Sequence, residues 1–205
     1  MKVLLEDNYS YYKRVAWTQP TLSSNGSFGG NEFGVSAGAT TLSHSINLGV
    51  PYVAFSPNAG EIYTYRDTKT YSTWINWYIP DDNFILTSVS LYNRNSQDSI
   101  GSILGVTLWG GYAEGQQGAQ LGYVSDGGMD QTVIVSATGN RTAYKYYRLD
   151  MHPPGRSSED ALCIRDILIS GYTLQAGTPE DYDFKVWAPT AKAVKLEDKY
   201  YGVIR

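Results

Sequence analysis

Period-two alternation of apolar and polar residues runs through most of this chain, and it restricts the fold more than any other feature. STWINWYI (residues 72–79) sets Ile75, Trp77 and Ile79 against Trp74, Asn76 and Tyr78. FILTSVSLYN (84–93) sets Ile85, Thr87, Val89 and Leu91 against Leu86, Ser88, Ser90 and Tyr92. SILGVTLWG (102–110) sets Leu104, Val106 and Leu108 against Ile103 and Thr107, and QTVIVSA, AYKYYRLDM and ALCIRDILISGYTL follow. Successive side chains of a strand point to opposite faces, so this pattern, rich in β-branched and aromatic residues, marks half-buried strands. Turn clusters such as SPNAG, PDDN, NRNSQDSIG, SDGGMD and HPPGRSSED separate the runs. No amphipathic helix of three turns is visible. The expected fold is all-β, a sandwich over residues 17–175, with Trp77, Val89, Leu91, Val106, Leu108, Leu149 and Ile167 in its core.

The flanks read differently. Residues 1–16 form a short N-terminal segment, and after Tyr172 the stretch LQAGTPED places a glycine and a proline in a connector. Residues 176–205 are too few for a core of their own, yet FKVWA and AVKL are apolar enough to require burial. An unpaired strand edge of that content aggregates. We therefore expect a C-terminal extended arm that contacts a neighbouring chain through Phe184, Trp187 and Leu196, with Trp187 as anchor; the rival is an arm that packs back onto the chain's own sandwich.

Charge and cysteine content exclude several function classes. The net charge is −4, and the longest basic cluster is Lys13-Arg14, so nucleic acid is not an expected partner. A single cysteine, Cys163, rules out an internal disulfide. MKVLLEDNYS offers only three apolar residues before Glu6, against the ~7–15 of a secretory h-region, and no apolar run is long enough for a membrane span. The expectation is a chain made in a cytoplasm without a cleaved leader and without membrane insertion.

Catalytic patterns are missing. There is no G-x-S-x-G elbow and no phosphate-cradling loop, and His44, His152 and Cys163 do not make a zinc set. The acids lie mostly in turns, as in Asp81-Asp82 and Glu159-Asp160. We expect no enzyme, no metal and no cofactor. The informative side chains are aromatic. Tyr63, Tyr65, Trp74, Trp109 and Tyr112 fall at strand ends or beside turns, with Arg66 and Arg94 among them. Core packing, a subunit interface and the apolar face of a sugar ring all use such rings, and these alternatives stay open. The opening stretch WTQPTLSSNGSFGGNEFGVSA, whose single charged residue is Glu32, suits a flat contact with a symmetric copy or a ring of partners.

The order of motifs resembles the galactose-binding-like jelly-roll β-sandwich of discoidin and coagulation-factor C-type domains and related carbohydrate-binding modules. VAFSPNAG stands where those domains carry an A-F-D-G-N turn. TYSTWINWYIP, VSLYNRN, GVTLWGG, SDGG, YKYYRLD and IRDILISG then follow in the family's order. Where the family turn supplies a calcium-binding Asp this chain has Ser56, with Asn58 the only other side-chain oxygen ligand nearby, so no calcium site is implied. The opening stretch resembles discoidin-like segments in tail and surface proteins of bacteriophages. The resemblance implies a virion structural protein, on a tail or capsid surface, assembled in the host bacterial cytoplasm. Its partners would be other virion proteins, further copies of itself and a host-surface glycan. The alternative is a monomeric carbohydrate-binding module or adhesin. DFKVWAPTAKAVKL also resembles the first strands of the N-terminal sandwich of starch-debranching enzymes, but two strands cannot make that domain, and they are assigned here to the arm.

Overall fold

The structure, a computed structural model, describes residues 9–26, 33–39, 51–55, 62–64, 73–93, 105–114, 116–125, 130–152, 162–178, 181–187 and 195–198. In chain order the strands are β1 (Tyr9–Ala16), β2 (Gly34–Ala39), β3 (Ile62–Thr64), β4 (Thr73–Tyr78), β5 (Phe84–Asn93) and β6 (Gly105–Gly111). β7 (Ala119–Val124), β8 (Gln131–Ser136), β9 (Tyr146–His152), β10 (Leu162–Ala176), β11 (Phe184–Trp187) and β12 (Lys195–Asp198) complete them, and Pro51–Phe55 forms a 3-10 turn. The fold is all-β, with two antiparallel sheets. One has the order β12-β11-β1-β10-β5-β8, with β3 also paired to β10, and the other has the order β2-β4-β9-β6-β7.

The apolar faces of the two sheets meet in one core. All seven residues expected there, Trp77, Val89, Leu91, Val106, Leu108, Leu149 and Ile167, are fully buried. Trp77 stacks on Tyr147 at 5.6 Å, and Phe84 meets the Tyr147 ring edge-on at 5.9 Å.

Two irregularities re-aim side chains. Along β5 the alternation predicts Ile85 on the face of Val89 and Leu91, but Phe84 and Leu86 occupy the core instead. The cause is a bulge: Ser88 pairs with Ser170 and Leu86 with Gly171, leaving Thr87 as an extra residue. Its carbonyl accepts from Ala137 N at 2.8 Å and its hydroxyl donates to the Ser170 carbonyl at 3.0 Å. An extra residue shifts parity, so every side chain before it changes face. β10 carries a second register shift between Arg165 and Leu168. There Asp166 adopts φ 52°, a left-handed conformation that a short polar side chain tolerates.

The described part of the opening stretch, residues 17–26 and 33–37, packs on its own chain. Trp17 lies 4.9 Å from Phe84 and 6.0 Å from Phe33. Past Trp17, whose N still donates to the Gly171 carbonyl at 3.1 Å, the backbone leaves β10, and the Gln19 amide takes over as a strand surrogate. Its Oε1 accepts from Ile169 N at 2.7 Å, and its Nε2 donates to the Ile167 carbonyl at 3.0 Å and to that of Phe55 at 2.6 Å. One edge of β10 is thus covered in succession by β1, the Gln19 side chain and β3. Asn25 closes the segment, accepting from Val35 N on its carbonyl (2.7 Å) and from Tyr52 N on Oδ1 (3.0 Å). Gly26 follows with φ +67°, where an added Cβ would press into the Phe33 carbonyl oxygen.

The flanking segments meet each other. Residues 9–16, set apart from the sandwich in the sequence reading, pair with β10 on one side and β11 on the other. The arm expected on a neighbouring chain is paired in cis: Tyr9 faces Trp187 and Tyr12 faces Phe184, while β12 places Leu196 opposite Val186. The physical reason is local. The connector returns at once along β1, with Gly177 N donating to the Tyr11 carbonyl (2.8 Å), Asp183 N to that of Tyr12 (2.9 Å) and Arg14 N to Asp183 Oδ2 (2.6 Å).

Candidate functional site

The outward face of the five-stranded sheet concentrates the chemistry. Since Ile75, Trp77, Val106, Leu108, Tyr147 and Leu149 point into the core, the alternate residues point away from it. Register aligns them in rows. Trp74 lies opposite Asp150, which lies opposite Thr107, and Thr107 opposite Tyr123. In the next row Asn76 lies opposite Arg148, Arg148 opposite Trp109, and Trp109 opposite Gln120. Directly opposed side chains on one face are in contact range, so two tryptophans flank a polar centre.

That centre is buried although it faces outward: Asn76, Thr107, Arg148 and Asp150 are all buried polar residues. Arg148 Nε donates to Asp150 Oδ1 at 2.6 Å, and Gln117 Nε2 donates to Asp150 Oδ2 at 2.5 Å. Gln117 arrives from the β6–β7 connection. The turn closes tightly because Gly118 has no side chain; a Cβ there would collide with the Gly110 carbonyl oxygen. The Arg148 guanidinium lies 5.1 Å from the Trp74 ring centroid, within cation–π range. With both carboxylate oxygens engaged, the buried charges are paired as such charges require. Two polar atoms at this centre are not: Asn76 Oδ1, an acceptor, and Trp109 Nε1, a donor, are buried without a hydrogen-bond partner.

Of the residues expected from sequence, the structure brings Trp74 and Trp109 together around Arg148. Tyr112 lies in the connection after β6, 70% exposed, its ring 5.2 Å from that of Tyr144. Tyr63 sits on β3 opposite Cys163 of β10. Tyr65, Arg66 and Arg94 lie outside the described residues, as do Ser56, Asn58 and His44. Phe184, Trp187 and Leu196 are placed only as strand positions on β11 and β12. Sequence reasoning missed Arg148, Asp150, Asn76, Thr107 and Gln117. Opposite charges two positions apart in an otherwise apolar-alternating strand, Y-R-L-D-M, were the available signal.

Chemically, the face offers aromatic surface, a fixed ion pair and unmatched amide and indole groups. Among the described residues it presents no activated nucleophile. Among the described residues no group of three or more His, Cys, Asp or Glu is placed to hold a metal ion.

No family model and no curated protein matches the chain. Among solved structures, an F-lectin (fucolectin) from the serum of the striped bass Morone saxatilis is similar at 19% identity and a TM-score of 0.47, over 67% of this chain and 47% of that one. The chain thus spans about half the length of that lectin chain.

Proposed function

We propose that this protein is a non-catalytic carbohydrate-binding sandwich whose outward five-stranded face holds a sugar. The observation that carries the reading is the two half-buried tryptophans, Trp74 and Trp109, that flank a fixed polar centre on the outward face. The CH face of the ring suits an indole, and the Arg148–Asp150 pair fixes the polar groups in place before a ligand arrives. The test is a glycan array followed by calorimetry. Trp109→Ala and Trp74→Ala should each weaken the best array ligand by at least about tenfold, roughly 1.4 kcal/mol. A folded protein that binds no glycan, or variants that bind as the parent does, would refute the reading.

We further propose a bacteriophage virion surface as the setting, with other virion proteins and further copies of the chain as partners. The support is the resemblance of residues 17–37 to phage tail and surface segments. Neighbouring genes for portal, tail or capsid proteins would support it. An isolated gene whose product runs as a monomer would favour the monomeric module or adhesin.

A further inference from the structure

We infer that the chain carries a second, separate site for one sugar ring, at the end of the sandwich where β4 runs out into Pro80 and Asp81. Between Gln19 and Asn25 the opening stretch arches over a pocket of about 380 Å³. That volume lies at the small end of ligand sites and suits one ring-sized ligand. Trp17 and Phe33 supply aromatic surface, their rings 6.0 Å apart, and the Phe84 ring lies 4.9 Å from that of Trp17. Pro80 forms a rigid apolar wall. Ser23, Ser24 and Asp81 contribute two hydroxyls and a carboxylate, a polar set beside the apolar one.

Three features argue for a ligand and not for a packing defect. The arch is fixed at both ends: the Gln19 amide makes three hydrogen bonds and Asn25 accepts two. A wall tied this way keeps its shape when empty, which lowers the ordering cost of binding. The carboxylates next to the arch also divide their work. Asp82 pairs with Lys145 at 2.6 Å, whereas among the described residues no cation pairs with Asp81. An unpaired carboxylate accepts from sugar hydroxyls, and adjacent hydroxyls on one ring reach its two oxygens together. Finally, the pocket mixes the two surfaces a sugar ring presents, with Trp17, Phe33 and Pro80 on its apolar side and Ser23, Ser24 and Asp81 on its polar side.

The inference does not depend on the sheet-face reading, and one experiment separates them. The full chain is labelled with 5-fluorotryptophan, its five indole resonances are assigned by single Trp→Phe variants, and methyl glycosides of neutral hexoses, 6-deoxyhexoses and N-acetylhexosamines are titrated by fluorine NMR. At least one glycoside should shift the Trp17 resonance saturably. Asp81→Ala, and separately Ser24→Trp to fill the exposed rim, should each weaken that titration at least about tenfold. Movement of Trp74 or Trp109 alone reports the other face and overturns this site. So does a Trp17 resonance that no glycoside moves, or one that titrates unchanged in both variants. Tighter response to tetramethylammonium than to every glycoside would also overturn it, since the pocket would then select a cation.

Discussion

Arg148 Nε lies 2.6 Å from Asp150 Oδ1, two positions along one strand, with 11% and 2% of their side chains exposed. The pair stands on the outward face of its sheet, yet water scarcely reaches it. Asp150→Ala leaves the guanidinium buried without this carboxylate and strands the Gln117 amide. Breaking such a pair from one side costs about 3–5 kcal/mol, and we expect a loss of that size in urea unfolding. Replacing both charges, Arg148→Met with Asp150→Leu, should recover most of it while abolishing sugar binding. A loss below about 1 kcal/mol for Asp150→Ala would place the pair in solvent.

Gln19 offers a second test. Gln19→Ala removes the partners of the Ile167 and Phe55 carbonyls and of Ile169 N. Each unmatched buried group costs about 1–3 kcal/mol, so the total should exceed that of an ordinary surface amide deletion. Gln19→Glu should not rescue, because a carboxylate cannot donate to the two carbonyls. Amide exchange at Ile169 should accelerate in Gln19→Ala, whereas the Gln19→Glu carboxylate can still accept from Ile169 N; unchanged exchange in Gln19→Ala would show that the backbone there is held by something else.

Alkaline stability should depend on Tyr147. Burial among Trp77, Phe84 and Tyr144 pushes its phenol well above the ordinary range, although Tyr144 N donating to the hydroxyl at 3.3 Å acts in the opposite sense. The unfolded chain ionises this group near pH ~10, before the folded one does. Its contribution is therefore complete below that value and is lost as the pH rises toward the folded value. Denaturation midpoints should fall above pH ~10 in the parent and fall less steeply in Tyr147→Phe. Parallel curves would exclude Tyr147 as the cause.

Core packing gives a contrast of two positions. Leu91→Ala, fully buried, should cost about 2–5 kcal/mol. Ile134→Ala, on the opposite face of β8 and 59% exposed, should change stability by less than about 0.5 kcal/mol. Equal effects would mean that the face assignment of β8 is wrong.

Deleting residues 178–205 removes the pairing of Tyr9–Tyr12 and bares an uncharged strand edge. The truncated chain should melt lower and self-associate as its concentration rises. Unchanged melting, with loss of a larger assembly, would return the arm to a neighbouring chain.

Alternation made the core legible because it records which side of a strand meets apolar neighbours, and that is why Trp77, Val89 and Leu149 could be named in advance. It failed at Ile85 because a bulge is one residue of backbone, with no composition of its own. Trp74 and Trp109 were visible as aromatics, but their meeting depends on register across β9, which lies far from both in sequence. Arg148 and Asp150 were hidden for another reason. A charge at an outward position reads as solvated, and nothing in β9 itself tells that Gln117 will arrive to cover it. In the same way, the opening stretch showed its scarcity of charge but not its destination, since a glutamine able to stand in for a strand looks like any other glutamine.

The coverage of β10 by β1, a glutamine side chain and β3 has a consequence for how the chain reaches this state. β1 finds its partner only when residues some 160 positions later are in place, Lys13 facing Gln175 and Arg14 facing Leu174. Pairings so distant carry a high contact order, which slows folding and lengthens the interval in which a strand such as YSYYKRVA stands unpaired. The hairpin of β6 and β7, and the β5–β8 pairing that spans it, can close before this clasp does. We therefore picture a sandwich that forms from its middle outward, with its earliest segment fastened among the last, so that the vulnerable species during synthesis is a nearly complete domain with one open flank.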